Sequence, residues 1–93
     1  MKRLLLPSPT FLRAARRLVK KSTSLAEDLR VALELLGEDA FDSRLRTHKL
    51  KGKLEGTWAC SAGYDLRILF SFVEHEESEA ILLETVGSHD EVY

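Results

Sequence analysis

Helix-patterned and strand-patterned residues are segregated along this chain. Apolar side chains recur at helical spacing from Thr10 to Leu36, and aromatic and β-branched runs occupy the stretch from Thr57 to Val86. Helices gathered first and antiparallel strands gathered second predict an α+β fold, with the helices packed on one face of the sheet and the other face partly open. At 93 residues only one core can form, so residues 1–93 are read as a single domain.

Lys2 to Leu6 reads as an opening strand ended by Pro7-Ser8-Pro9. Thr10 is the expected N-cap of a first helix in which Phe11, Leu12, Ala15, Leu18 and Val19 form the apolar stripe, and Arg13, Arg16, Arg17, Lys20 and Lys21 take the other positions. Ser22-Thr23-Ser24 breaks it, and Ser24 with Glu27 fits a capping box for a second helix carrying Leu25, Leu29, Ala32, Leu33 and Leu36, with Gly37 as its stop. This N-terminal helical hairpin needs a sheet to cover its apolar faces. The expected strands after it are Thr57 to Ala62, Leu66 to Val73 and Ala80 to Val86, joined by a turn at Gly63-Tyr64-Asp65 and a charged connection from Glu74 to Glu79. With the opening strand they make an antiparallel-rich sheet of about four strands. Trp58 is assigned to the core, His75 to a solvated loop, and Ser88 to Tyr93 to a short tail.

A chain that is 44% hydrophobic and 31% charged is globular rather than disordered. Its only cysteine, Cys60, allows no internal disulfide and no cysteine-based metal site, which fits a reducing, cytoplasmic location. Pro7 cuts the apolar N-terminus too short for a signal peptide or a membrane span, so neither secretion nor a membrane partner is expected. The formal net charge of −1 hides an asymmetry. Up to Lys53 there are thirteen Lys/Arg against six Asp/Glu; after it there is one against nine. Either a basic face suited to phosphates coexists with an acidic one, or the two halves neutralise each other.

His48 lies among Arg46, Lys49, Lys51 and Lys53. Cations meet the charge that develops on a phosphoryl group in transfer, and an imidazole titrates close enough to neutrality to move protons. A solvated lysine-rich loop has the same composition. His89 follows Gly87-Ser88 at a strand end, where the glycine would let the chain turn sharply; if that end folds beside the His48 loop, one imidazole is base to a ribose 2′-hydroxyl and the other acid to the leaving 5′-oxygen. Otherwise it is a surface residue. Asp65 and Arg67, two apart at the start of a strand, share a face, either as a carboxylate and guanidinium in one site or as a cross-strand ion pair. Tyr93, the last residue, either stacks on an RNA base or packs on the sheet. No pair of side chains shows the close spacing of a zinc site, so metal-independent RNA cleavage without a cofactor is the economical chemistry.

The segments His48-Lys49-Leu50-Lys51-Gly52, Trp58-Ala59-Cys60-Ser61 with Tyr64-Asp65-Leu66-Arg67-Ile68, and Gly87-Ser88-His89-Asp90-Glu91-Val92-Tyr93 resemble, in order and spacing, the YafQ-like branch of the RelE/ParE toxin superfamily. The resemblance implies a RelE-like small microbial RNase fold, ribosome-dependent mRNA cleavage that inhibits translation, and a cognate antitoxin bound in a hetero-oligomer. It maps His48, Asp65 and His89 onto catalytic positions and Tyr93 onto the terminal aromatic, while Arg67 resembles the strand arginine of RelE-type members. YafQ-like members often carry a histidine where Ser61 stands and an arginine where Thr85 stands, so the resemblance asks Arg67 to supply the missing charge. Two other functions share this fold: ParE-like inhibition of DNA gyrase, and a catalytically weakened homologue that acts as a binding partner.

Overall fold

Serines place the helix boundaries. In the computed structural model, which describes residues 2–52 and 56–93, strand β1 (Leu5–Pro7) leads into α1 (Pro9–Lys21). The Ser8 hydroxyl accepts from the Phe11 amide at 3.0 Å, and Pro9 takes the first helical position, where the amide it lacks would have had no partner. Thr10, the expected cap, therefore lies inside the first turn. Ser22 alone separates α1 from α2 (Thr23–Glu38) and serves both. Its amide donates to the Leu18 carbonyl at 3.1 Å, and its hydroxyl accepts from the Leu25 amide at 3.3 Å. Ser24 is already helical and Glu27 pairs with Arg30, so the expected capping box is replaced by a cap two residues earlier. Nor does Gly37 stop α2. The helix runs to Glu38 and is closed by the Asp39 amide on the Leu35 carbonyl at 2.8 Å, while the Gly37 carbonyl accepts from the Arg3 amide at 2.8 Å and ties down the N-terminal segment.

Among the described residues five strands, rather than about four, form one sheet in the order β1-β5-β4-β3-β2. They comprise β1, β2 (His48–Lys49), β3 (Trp58–Ala62), β4 (Leu66–His75) and β5 (Ser78–Ser88), and a one-turn helix α3 (His89–Val92) follows. Only the β1–β5 pair is parallel. The extra strand, β2, is two charged residues with no apolar alternation to announce it. The expected connection from Glu74 to Glu79 is mostly strand as well: β4 and β5 continue to a two-residue turn at Glu76 and Glu77, whose φ values are 50° and 68°. Left-handed backbone at both positions matches the twist of a hairpin but is normally built from Asn or Gly, and two glutamates adopt it at a cost of roughly 1 kcal/mol or more each. His75 is accordingly the end of a strand and not a loop residue.

Alternation along the strands directs Cys60, Ala62, Leu66, Ile68, Phe70 and Ile81 toward the helices, where they bury Phe11, Leu18, Leu29, Ala32 and Leu36. At the margin of this core Trp58 packs edge-to-face on Phe72 and Phe41, with centroids 5.3 and 5.5 Å apart. A bulge opposite the Leu69/Phe70 step inserts Glu84 as an extra residue in β5, so that both Leu83 and Val86 face the core. Beyond the bulge, Thr85 and Gly87 alternate to the other, open face of the sheet, where Thr85 at the edge also lines a hollow with Thr10, Arg13 and Arg17 of α1.

Candidate functional site

Two rows of residues cross that open face. The strand register aligns Ser61, Arg67 and Gly87 in one row and His48, Ala59, Leu69 and Thr85 in the next. Because β2 is paired through His48 with Ala59, the imidazole comes to the open face and Lys49, one residue on, goes to the other.

Over these rows folds α3. The Ser88 hydroxyl accepts from the Glu91 amide at 3.3 Å, and the Glu91 carboxylate accepts from the Ser88 amide at 2.8 Å, a reciprocal cap that allows so short a helix to form. The Ser88 amide, then its hydroxyl, hold the Glu91 carboxyl below the ordinary carboxylate range. Gly87 is needed for close approach rather than for a sharp turn. Its backbone is not left-handed, but a Cβ there would lie 3.1 Å from Glu91 Oε1 and 3.2 Å from Val92 Cγ1.

Seated this way, α3 brings together the residues singled out in the sequence. His89 opens the helix, and its ring meets the Tyr93 ring edge-on at 4.5 Å. The Tyr93 hydroxyl reaches across the sheet to within 3.5 Å of His48 Nε2. On the other side of that ring, His48 Nδ1 is 2.9 Å from the Arg46 carbonyl. A carbonyl only accepts, so these partners assign the proton to Nδ1 and leave the Nε2 lone pair facing Tyr93. Burial raises the Tyr93 pKa while Arg67 opposes the rise, which keeps the hydroxyl protonated and able to donate. Arg67 is itself held by donating one terminal nitrogen to the Tyr64 and Leu66 carbonyls, at 3.1 and 2.8 Å.

A groove of about 610 Å³ lies alongside, lined by Arg46, Asp65, Arg67 and His89 among others; His48 and Tyr93 are not among its lining residues and connect to it through the contact of Tyr93 with His89. Asp65 lies in the turn before β4 rather than at the start of the strand, and it and Arg67 both line this groove. Lys49 does not join them, because its ammonium lies over the Trp58 ring at 5.4 Å on the opposite face. Lys51 is exposed and not among the groove residues, and Lys53 lies outside the described residues. Three groove residues have no reading of their own in the sequence, Arg44, Tyr64 and Asp90. Arg44 is clamped on Asp42 through two hydrogen bonds of 3.0 and 2.8 Å, which push the Asp42 carboxyl down to about 2. Tyr64 is 91% exposed; an aromatic between a glycine and an aspartate in a tight turn has nothing to pack on, and that was its signal. One imidazole and three guanidiniums line the groove, and a second imidazole is linked to the first through Tyr93; groups of these kinds can move protons and meet charge in a displacement at phosphorus.

Residues 4–93 match the family model described as bacterial toxin of type II toxin–antitoxin system, YafQ. The fold is similar to that of YafQ from E. coli strain BL21(DE3), with a TM-score of 0.78 at 14% identity over 99% of each chain. It is also similar to the YoeB/ParE toxin from Agrobacterium tumefaciens, with a TM-score of 0.76 at 12% identity over 92% of this chain and 98% of that one. A crystal structure of the E. coli DinJ–YafQ complex matches with a TM-score of 0.77 at 15% identity over 99% of each chain. No curated protein sequence matches.

Proposed function

This chain belongs to the YafQ family of bacterial toxins of type II toxin–antitoxin systems, and from that premise we propose that it cleaves mRNA on the ribosome in the cytoplasm and is neutralised by a cognate antitoxin. In this reading His48 Nε2 takes the proton of a ribose 2′-hydroxyl that displaces Tyr93 from it. The 2′-oxygen then bonds to phosphorus while the bond to the 5′-oxygen breaks, and His89 gives a proton to the departing oxygen. The products are a 2′,3′-cyclic phosphate and a 5′-hydroxyl. Arg67, with Arg44 and Arg46 near it, meets the charge on the phosphoryl oxygens, and Asp65 on the groove wall orients or tunes a histidine. The exposed Tyr64 ring and Tyr93 offer bases a surface on which to stack. Because Ser61 is the direct partner of Arg67 across the β3–β4 ladder, a guanidinium from the neighbouring strand can serve the place where relatives carry a histidine.

One observation carries this reading: the contacts that run from His48 through Tyr93 to His89, on the face that also presents Arg67. The antitoxin is supported by the family and by the E. coli DinJ–YafQ complex. On α1, Arg13, Arg16, Arg17, Lys20 and Lys21 form no ion pair among the described residues, and they offer an acidic antitoxin segment a docking face. Inducing the chain alone in bacteria should arrest growth and cut translated messages. A folded His48→Ala/His89→Ala double variant should do neither. Undiminished toxicity of that variant, or intact messages together with inhibited gyrase supercoiling, would reject the proposal.

A further inference from the structure

Among the described residues β2 pairs with β3 through His48 and Lys49, and the 3-10 turn Ser43–Leu45 also packs against β3. Between this turn and α2 a side cleft of about 250 Å³ opens, and it shares Arg44, Ser61 and Gly63 with the main groove. One wall is apolar, from Val31 and Leu35 on α2. Another is the Asp28 carboxylate, which is half-buried and has no hydrogen bond or ion pair within the described residues. It lies against Gly63, where a Cβ would come within 2.4 Å of its Oδ2. Gly63 also has a left-handed φ of 68°, so glycine is the residue that keeps the carboxylate at the junction of cleft and groove.

We propose that this cleft receives the base of a nucleotide whose phosphate lies in the main groove, and that Asp28 selects guanine. The inference deepens the RNA-cleaving reading and rests on it for the phosphate's place. A carboxylate only accepts hydrogen bonds, and it has two oxygens side by side. Guanine alone presents two adjacent donors, N1–H and N2–H₂, on its Watson–Crick edge. Adenine and cytosine set a ring-nitrogen acceptor beside their amino group, and uracil sets carbonyls on both sides of its one N–H, so each would put a lone pair against the carboxylate. Unpaired RNA bases are gripped by stacking on an aromatic ring or an Arg guanidinium plane and by hydrogen bonds to their edges; here Arg44 lines the cleft beside the Val31 and Leu35 wall, and Asp28 faces the edge.

The test is binding of the four nucleoside 3′-monophosphates to the full chain, followed by NMR or calorimetry. Guanosine 3′-monophosphate should bind about tenfold or more tighter than the others, since hydrogen bonds to a charged group are the stronger kind. Asp28→Asn should bring it level with them. Val31→Trp, which fills the cleft from an exposed helical position, should do the same with Asp28 intact. Equal affinity for all four in the parent chain, or a guanine preference that persists in both variants, overturns the inference. Cleavage is scored separately: a chain that prefers the guanine nucleotide yet leaves RNA intact keeps the subsite and loses the nuclease, and one that cuts RNA with no guanine preference does the reverse.

Discussion

Gly87→Ala separates the placement of α3 from the stability of the fold. The new Cβ would meet Glu91 Oε1 at 3.1 Å and Glu91 Cβ and Val92 Cγ1 at 3.2 Å, so α3 must retreat by a few tenths of an ångström. Overpacking of this kind costs about 1–3 kcal/mol. Gly87 has no left-handed φ, so reduced freedom of the unfolded chain returns about 0.4–1 kcal/mol. The net loss is about 1 kcal/mol, or about 4–8 °C in Tm for a chain of this size. Chemistry should suffer more, because His89 and Tyr93 ride on α3. A 1 Å misplacement can cost about a hundredfold, so half of that scales to about tenfold. Gly37→Ala is the control: its Cβ would make only ordinary contacts, the nearest 3.7 Å from the Arg3 carbonyl, and in a helix it should stabilise slightly. Circular dichroism melts and cleavage rates on a translated message measure both quantities. A Gly87→Ala chain that cuts at the parental rate, or a Gly37→Ala chain that loses as much activity, would refute the reasoning.

Leu36→Ala removes a side chain with 0% exposure from the helix–sheet core and should cost about 2–5 kcal/mol in urea unfolding; a loss below 1 kcal/mol would mean that the helices are not packed as described. Burial pushes the Cys60 thiol up to about 12, so alkylation of the native chain at pH 8 should be negligible until denaturant is added. The raised pKa also means that this thiol's contribution to stability is complete at neutral pH and drains away as pH rises from about 9 toward 12. An alkaline loss equally large in Cys60→Ala would count against that. The lowered Glu91 carboxyl works in the opposite direction. Its cap on Ser88 is intact at neutral pH and is lost as pH falls below the ordinary carboxylate range, so the Ser88 and Glu91 amides should lose protection relative to their intrinsic exchange rates in acid while β4 stays protected.

The segregated pattern that announced helices packed on a sheet reflects strong signals, since apolar spacing survives whatever the boundaries do. Boundaries moved where a second serine stood close by. Pro9 gave the cap to Ser8 over Thr10, and a one-residue link gave it to Ser22 over Ser24. The hairpin tip stayed hidden because Glu76 and Glu77 adopt a backbone that their side chains do not favour. At the site, His48, Asp65, Arg67, His89 and Tyr93 were legible as residue types suited to phosphoryl chemistry. Their convergence was not, since it depends on which way a two-residue strand faces and on an unadvertised bulge at Glu84. The same alternation that delivers His48 takes Lys49 away, a distinction that a count of nearby cations does not make.

The ends of the cut RNA test the account most directly. A short message bound to ribosomes and treated with the purified chain should yield a 2′,3′-cyclic phosphate or 3′-phosphate on the upstream fragment and a 5′-hydroxyl on the downstream one, by mass spectrometry. A single 2′-deoxy substitution at the cut site should abolish cleavage there. Cutting that survives the deoxy substitution, or that leaves a 5′-phosphate, would contradict attack by a neighbouring hydroxyl and with it the roles given to His48 and His89.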